Sequence, residues 1–179
     1  RDFVKHPGAV AIVPLREGEA SSSGEPEVLL INQYRHPVGA TLWEIPAGLL
    51  DIAGEDPLRA AQRELEEEAD LKATRWDVLV DYFTTPGGSS EALRVYLARD
   101  LTLIPASERS FQREAEEAFM ARRWVGLRQA VAAIFAGQMH NPSAVVGVLA
   151  TALALDPPGL SPVSLRPVSA PWFRKTSLD

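Results

Sequence analysis

No cysteine occurs anywhere in the 179 residues. That excludes disulfides, a thiolate nucleophile and Cys-ligated zinc, and it is compatible with the cytosol. Histidine is nearly as scarce: His6, His36 and His140 are too scattered in sequence for a His-based metal site, and all three are expected to be structural. A membrane-length apolar run is missing too. The longest, Ala144 to Leu155, holds Gly147 and Thr151 and falls short of a span. No signal peptide is visible from Arg1 onward, so a cytoplasmic location is expected. Nor is positive charge in excess. A formal net charge of -6 argues against a nucleic-acid backbone as partner, and an anionic small substrate would need metal and local Arg or Lys. The phosphate loop GxxxxGK, the dinucleotide fingerprint GxGxxG, a nucleophile elbow and internal repeats are all absent.

What remains is an ordinary globular composition, 46% hydrophobic and 23% charged, sufficient to bury a core. One domain over residues 1–155 accounts for it. Residues 156–179 carry five prolines and are expected to form an extended Pro-rich tail.

Gly8 to Leu15 has the length and branched residues of a buried strand, and Glu27 to Gln33 reads as its pairing partner across a Gly, Ser and Pro loop. Thr41 to Ile45 is a short strand that delivers Pro46-Ala47-Gly48 to a glutamate-rich helix. Thr74 to Phe83 and Glu91 to Ala98 read as strands flanking the loop TTPGGSS, and Asp100 to Arg113 as polar and irregular. The Gly87-Gly88 pair suits a phosphate cradle built from backbone N–H groups, or equally a plain hairpin loop. A second acidic cluster, Glu114, Glu116 and Glu117, precedes an expected strand from Phe119 to Val125. Gly126 to Ala136 reads as a helix. Asn141-Pro142 opens another through Leu155, apolar nearly all round and so expected to be buried in a core or a subunit interface.

The chemistry centres on GLLDIAGEDPLRAAQRELEEEADL, Gly48 to Leu71, where five glutamates (Glu55, Glu64, Glu66, Glu67, Glu68) sit just before and along one helix. Asp56 followed by Pro57 starts that helix as an N-cap and a first-turn proline. Leu58, Ala61, Leu65 and Ala69 form its apolar stripe, with Glu64 and Glu68 along one edge and Glu67 beside them. Like charges at this spacing cost an isolated helix roughly 0.2–0.5 kcal/mol per pair, more when partly buried, and a divalent cation removes that penalty. A Glu-rich helix is ordinarily a solvated face. The order of the flanking residues sets this one apart, and a Gly loop placed against it allows close backbone approach.

In that order the stretch resembles the Nudix box: Gly, then Glu55, seven residues, Arg63-Glu64, Leu65, one residue, Glu67-Glu68, one residue, position 70, Leu71. Two departures stand out. Six residues separate Gly48 from Glu55 where the family has five, which a loop absorbs. Asp70 replaces the glycine expected past the helix, at about 1 kcal/mol if that residue is left-handed. Beyond the box, YRHPVGATLWEIPAGLLD and TTPGGSSEALRVYLA resemble the ADP-ribose pyrophosphatase branch of the family.

The resemblance implies an α/β fold, the Nudix-type α/β/α sandwich with a mixed sheet. It implies divalent metal, Mg²⁺ or alternatively Mn²⁺, held by the Ala47 carbonyl, Glu64 and Glu68, with Glu67 a further ligand. Glu117, with Glu116 as rival, would support the metal and orient or deprotonate the attacking water. It places Arg35, Leu49, Gly87, Gly88 and Glu91 at the substrate, and matches Arg1 and Asp2 to an adenine-site segment supplied across a homodimer. Arg35 has a plainer alternative as the ion-pair partner of Glu44, and Trp43 could stack on a base or sit in the core. The activity implied is hydrolysis of ADP-ribose to AMP and ribose 5-phosphate. The alternatives are another nucleoside diphosphate derivative, such as a nucleotide sugar or dinucleoside polyphosphate, and a non-catalytic ADP-ribose-binding module.

Overall fold

The computed structural model describes residues 2–18, 21, 24–109, 120–159, 161 and 163–174. Strand β1 (Ala9–Arg16) lies at the middle of a mixed sheet, parallel to β6 (Ala92–Leu103) along one edge. Its other edge is shared. Near the C-terminal end, β1 pairs antiparallel with β2 (Glu27–Arg35) only at Leu15–Val28 and Arg16–Glu27, and there the two strands part. The chain from β3 (Ala40–Glu44) to β4 (Ala47–Leu49) fills the gap, β3 pairing with β2 and β4 with Ala9 to Ala11 of β1. The crossing at Ile45-Pro46 is held by the Ile12 N–H, which donates to the Pro46 carbonyl at 2.8 Å. A splayed strand pair thus carries Ala47 and Gly48 into the sheet, with β4 an element that the sequence did not announce.

β5 (Leu71–Phe83) forms the antiparallel edge beside β6, and β7 (Ala121–Gly126) pairs with β2. Both β5 and β6 exceed their expected spans. The ladder continues through Leu71–Leu103 and Ala73–Leu101, with Leu71 buried and Leu103 exposed. Asp100 to Leu103, expected to be irregular, therefore belongs to β6.

The sheet is covered on both faces, which explains why β1 reads as a continuous apolar run. Val10 and Ile12 point to one side, with Leu29, Val78 and Tyr96, against Ala60, Ala61, Leu65 and Ala69 of α1 (Pro57–Ala69). Ala9, Ala11, Val13 and Leu15 point to the other, against α2 (Leu127–Phe135) and α3 (Pro142–Leu155). The α/β/α sandwich is thereby observed. Leu58 proves only half-buried, and Ala60 takes the deeper place on the stripe.

Each expected cap is present. Asp56 accepts from the Leu58 N–H at 2.9 Å to start α1, and Asn141 from Ala144 at 3.0 Å to start α3. α3 is not buried all round. It buries Ser143, Ala144, Gly147, Val148 and Thr151 and leaves Leu153 exposed. Gly147 permits that close packing, since a Cβ there would meet Val13 at 2.9 Å and Ile45 at 3.0 Å. Among the described residues no helix is long and apolar enough to cross a membrane.

Residues 163–174 return to the sheet without forming a long element. The Val78 N–H donates to the Arg166 carbonyl at 2.9 Å, and the Arg166 side chain pairs with Asp81 at 2.9 Å. Arg94, buried beneath, donates to Asp81, Ala170 and Pro171, and its guanidinium lies 5.0 Å from the Trp172 ring centroid.

Candidate active site

α1 presents its acidic edge to the strand that crosses the gap. Glu68, 5% exposed, accepts a hydrogen bond from the Ala47 N–H at 2.9 Å. One turn earlier the Glu64 side chain lies directly on Gly48: a Cβ built on that glycine would overlap the Glu64 Oε1, Cδ and Cγ atoms. Two carboxylates four residues apart are thus brought onto two successive residues of β4. The helical repeat sets their spacing, and the bare glycine backbone lets them approach.

Arg63 organises the remaining charge. Its Nη1 donates to Glu64 at 2.6 Å and to Glu67 at 3.1 Å, while Nε and Nη2 each reach Glu55 at 3.3 Å. The Glu55 hydrogen bond, with the charge and hydrogen bond of Glu64, raises the Arg63 pKa well above its usual value against the opposing effect of burial. The guanidinium therefore stays charged and holds three carboxylates in one array. The sequence placed Glu55 and Arg63 in the motif without assigning them a role. The seven residues between them span the start of α1, so they were the available signal.

At the far end of the helix Asp70 adopts the left-handed conformation, φ 56° and ψ 35°, that the motif's glycine position requires. The departure from the family pattern is accommodated, and the helix exits where the motif places its exit.

The other expected site residues fall into separate groups. Arg35 makes a bidentate pair with Glu44, at 2.9 and 2.7 Å, and Glu44 is 2% exposed. The plainer reading of Arg35 is therefore realised in this structure. Trp43 packs against the core on the α2/α3 side. Leu49 follows Gly48 on β4 and is exposed. In the Gly87-Gly88 loop the N–H groups of Gly88 and Ser89 donate to the Thr85 carbonyl at 3.0 and 2.9 Å, and that of Ser90 to Val4 at 3.0 Å. The Gly88 and Ser89 donors are thus engaged within the turn, and the Ser90 donor ties the loop to the N-terminal segment. Glu91 accepts from the Thr84 hydroxyl and lies 3.5 Å from His6 Nε2, so the loop is tied to the N-terminal segment. Arg1, Glu114, Glu116 and Glu117 lie outside the described residues.

Among the described residues, the acidic side chains at the site offer carboxylate oxygens. Among the described residues no three acidic or histidine side chains form a metal-binding group by themselves. Glu64 and Glu68, side by side at Gly48 and at the Ala47 N–H, nevertheless supply carboxylate oxygens of the kind a hard divalent cation takes.

The chain is 43% identical over 150 residues to an ADP-ribose pyrophosphatase of Mycobacterium tuberculosis, covering 84% of this chain and 67% of that one. It is 38% identical over 104 residues to an ADP-ribose pyrophosphatase of Bacillus subtilis, covering 58% and 52%. It is 37% identical over 102 residues to a methanol dehydrogenase activator of Bacillus methanolicus, covering 57% and 51%. The chain thus spans two thirds of the first relative and about half of the other two. A crystal structure described as an ADP compounds hydrolase superposes with a TM-score of 0.59 at 20% identity, covering 82% of this chain and 72% of that one, which speaks to the fold. Residues 5–144 match the family profile described as the NUDIX domain, and with α1's carboxylates seated on β4 this chain belongs to the Nudix hydrolase family.

Proposed function

We propose that the chain hydrolyses the pyrophosphate bond of ADP-ribose to AMP and ribose 5-phosphate with a divalent cation, Mg²⁺ or alternatively Mn²⁺. The observation that carries this reading is the seating of Glu64 and Glu68 on Gly48 and Ala47. The names borne by the mycobacterial and Bacillus subtilis relatives support the choice of substrate.

In this reading Glu64, Glu68 and the Ala47 carbonyl hold the cation, and Glu67 is close enough to assist through the shared Arg63. The cation, when bound, neutralises the diphosphate and makes a neighbouring water more acidic. Glu117, or its neighbour Glu116, takes the proton from the water that attacks phosphorus in line. The P–O bond to the bridging oxygen breaks, and that oxygen leaves on the departing phosphate. Arg35 would exchange its pairing with Glu44 for substrate, a cost the charged ligand must offset. Leu49, Gly87, Gly88 and Glu91 border the substrate, Arg1 contributes across a homodimer, and the enzyme works in the cytoplasm.

The test is a substrate panel with Mg²⁺ read by product mass. AMP and ribose 5-phosphate from ADP-ribose are expected. Tight ADP-ribose binding without hydrolysis in Mg²⁺ or Mn²⁺ would replace the proposal with a binding module. A second reading keeps the enzyme and changes the substrate to a nucleotide sugar or dinucleoside polyphosphate. It is favoured by one observation, that relatives of similar identity carry names as different as ADP-ribose pyrophosphatase and methanol dehydrogenase activator. Faster turnover of one of those substrates would select it.

A further inference from the structure

Asp70 occupies the position that the family pattern gives to glycine, and it makes contacts that glycine has no atoms to make. Its backbone ends α1: the N–H donates to the Glu66 and Leu65 carbonyls, and the carbonyl accepts from the Ile104 N–H at 2.8 Å. The side chain does something else. Its carboxylate is only 2% exposed, with Arg109 Nε 2.8 Å from Oδ1 and Arg122 Nη1 against Oδ2. Arg122 is itself fixed in the sheet, opposite Ile31 on β2. One buried anion therefore joins the exit of α1, the chain that leaves β6 and the start of β7.

A helix cap needs neither burial nor two guanidinium partners, and left-handed backbone disfavours any residue that carries a Cβ. Burying a carboxylate is also unfavourable unless it is paired. Both disadvantages are accepted here at a residue two places beyond Glu68. The two arginines stand on either side of residues 110–119, the stretch that holds Glu116 and Glu117 in the sequence.

We propose that Asp70 is a positioning residue for hydrolysis: its carboxylate, shared by Arg109 and Arg122, registers both flanks of residues 110–119 against the helix that carries Glu64 and Glu68. The proposal rests on the function argued above. It concerns only the two flanks and the helix end, whose contacts are described.

The experiment compares Asp70→Asn, Asp70→Gly and Arg122→Gln in the full chain, with kcat and KM measured separately for ADP-ribose and with hydrogen exchange followed in the absence of substrate. Asp70→Gly relieves the backbone while removing the carboxylate, so it retains a folded protein if Asp70→Asn does not. The expected result is a fall in kcat of about tenfold or more for each variant, with KM changed by less than about twofold. Faster exchange is expected in peptides covering 104–109 and 120–124, but not in β1 or α3. The Asp70→Asn/Arg122→Gln double variant should lose no more than Asp70→Asn alone. Wild-type kcat in Asp70→Gly would overturn the proposal and reduce Asp70 to a cap. Unchanged exchange at both flanks would overturn it as well. Because exchange needs no substrate, a wild-type protein inert toward every diphosphate would sink the proposed function while the exchange arm still decided the clasp.

Discussion

Glu64 lies against Gly48 so closely that even a methyl group on the glycine would occupy the space of its carboxylate. The three atoms nearest to a new Cβ all belong to the glutamate side chain. The glycine therefore protects the placement of a carboxylate more than the path of the chain.

Gly48→Ala should accordingly be a functional lesion with a small structural one. The glutamate can swing away, so the melting temperature is expected to move by no more than a few degrees, for about 1 kcal/mol. Turnover should fall by about tenfold or more, and the Mg²⁺ concentration for half-maximal rate should rise. Kinetics across a Mg²⁺ titration, beside a thermal melt, provide the check. Full activity at the ordinary Mg²⁺ requirement would show that the contact is incidental.

Glu68→Gln keeps an oxygen for the Ala47 N–H and removes the charge. The fold should survive, while turnover drops by more than about a hundredfold. Circular dichroism and a product assay separate the two effects. A variant with near-normal rate would refute Glu68 as a ligand.

Arg63 balances Glu55, Glu64 and Glu67, so Arg63→Gln leaves three carboxylates close together without their shared cation. A loss of roughly 1–3 kcal/mol is expected in the presence of a chelator. Added Mg²⁺ should recover more stability in the variant than in the parent, because it replaces the missing positive charge. Chemical denaturation with and without Mg²⁺ measures this, and equal recovery in both proteins would count against a shared acidic array.

Asp81 supplies a pH signature remote from the carboxylate helix. Burial acts to raise its pKa, but hydrogen bonds from Arg94 and Arg166 outweigh that effect and hold it below the usual carboxylate value. A group depressed in the folded state stabilises above its unfolded pKa, about 4, and loses that contribution as pH falls through the lower folded value. Asp81→Asn should cost roughly 1–3 kcal/mol at neutral pH, because Arg94 stays buried beneath the 163–174 segment. The gap between parent and variant should close as pH falls below about 4. Melting curves from pH 7 to pH 3 test it, and parallel curves throughout would remove Asp81 as the cause.

Much of this architecture can be read along the chain because it is local. Asp56-Pro57 and Asn141-Pro142 announce two helix starts within a few residues, the spacing of Glu64, Glu67 and Glu68 follows from the helical repeat, and the unbroken apolar run of β1 signals a strand covered on both faces. What stayed hidden depends on residues far apart in sequence. The parting of β1 and β2 that admits β4, the carboxylate of Glu68 on the Ala47 N–H, the extension of β5 and β6 beyond their expected ends, and the two arginines that converge on Asp70 are each closed across long stretches of intervening chain. Local composition records which residues prefer a helix, a strand or a turn. Long-range hydrogen bonds and ion pairs exist only after packing has chosen which surfaces meet, and no periodicity in the residues themselves reports that choice.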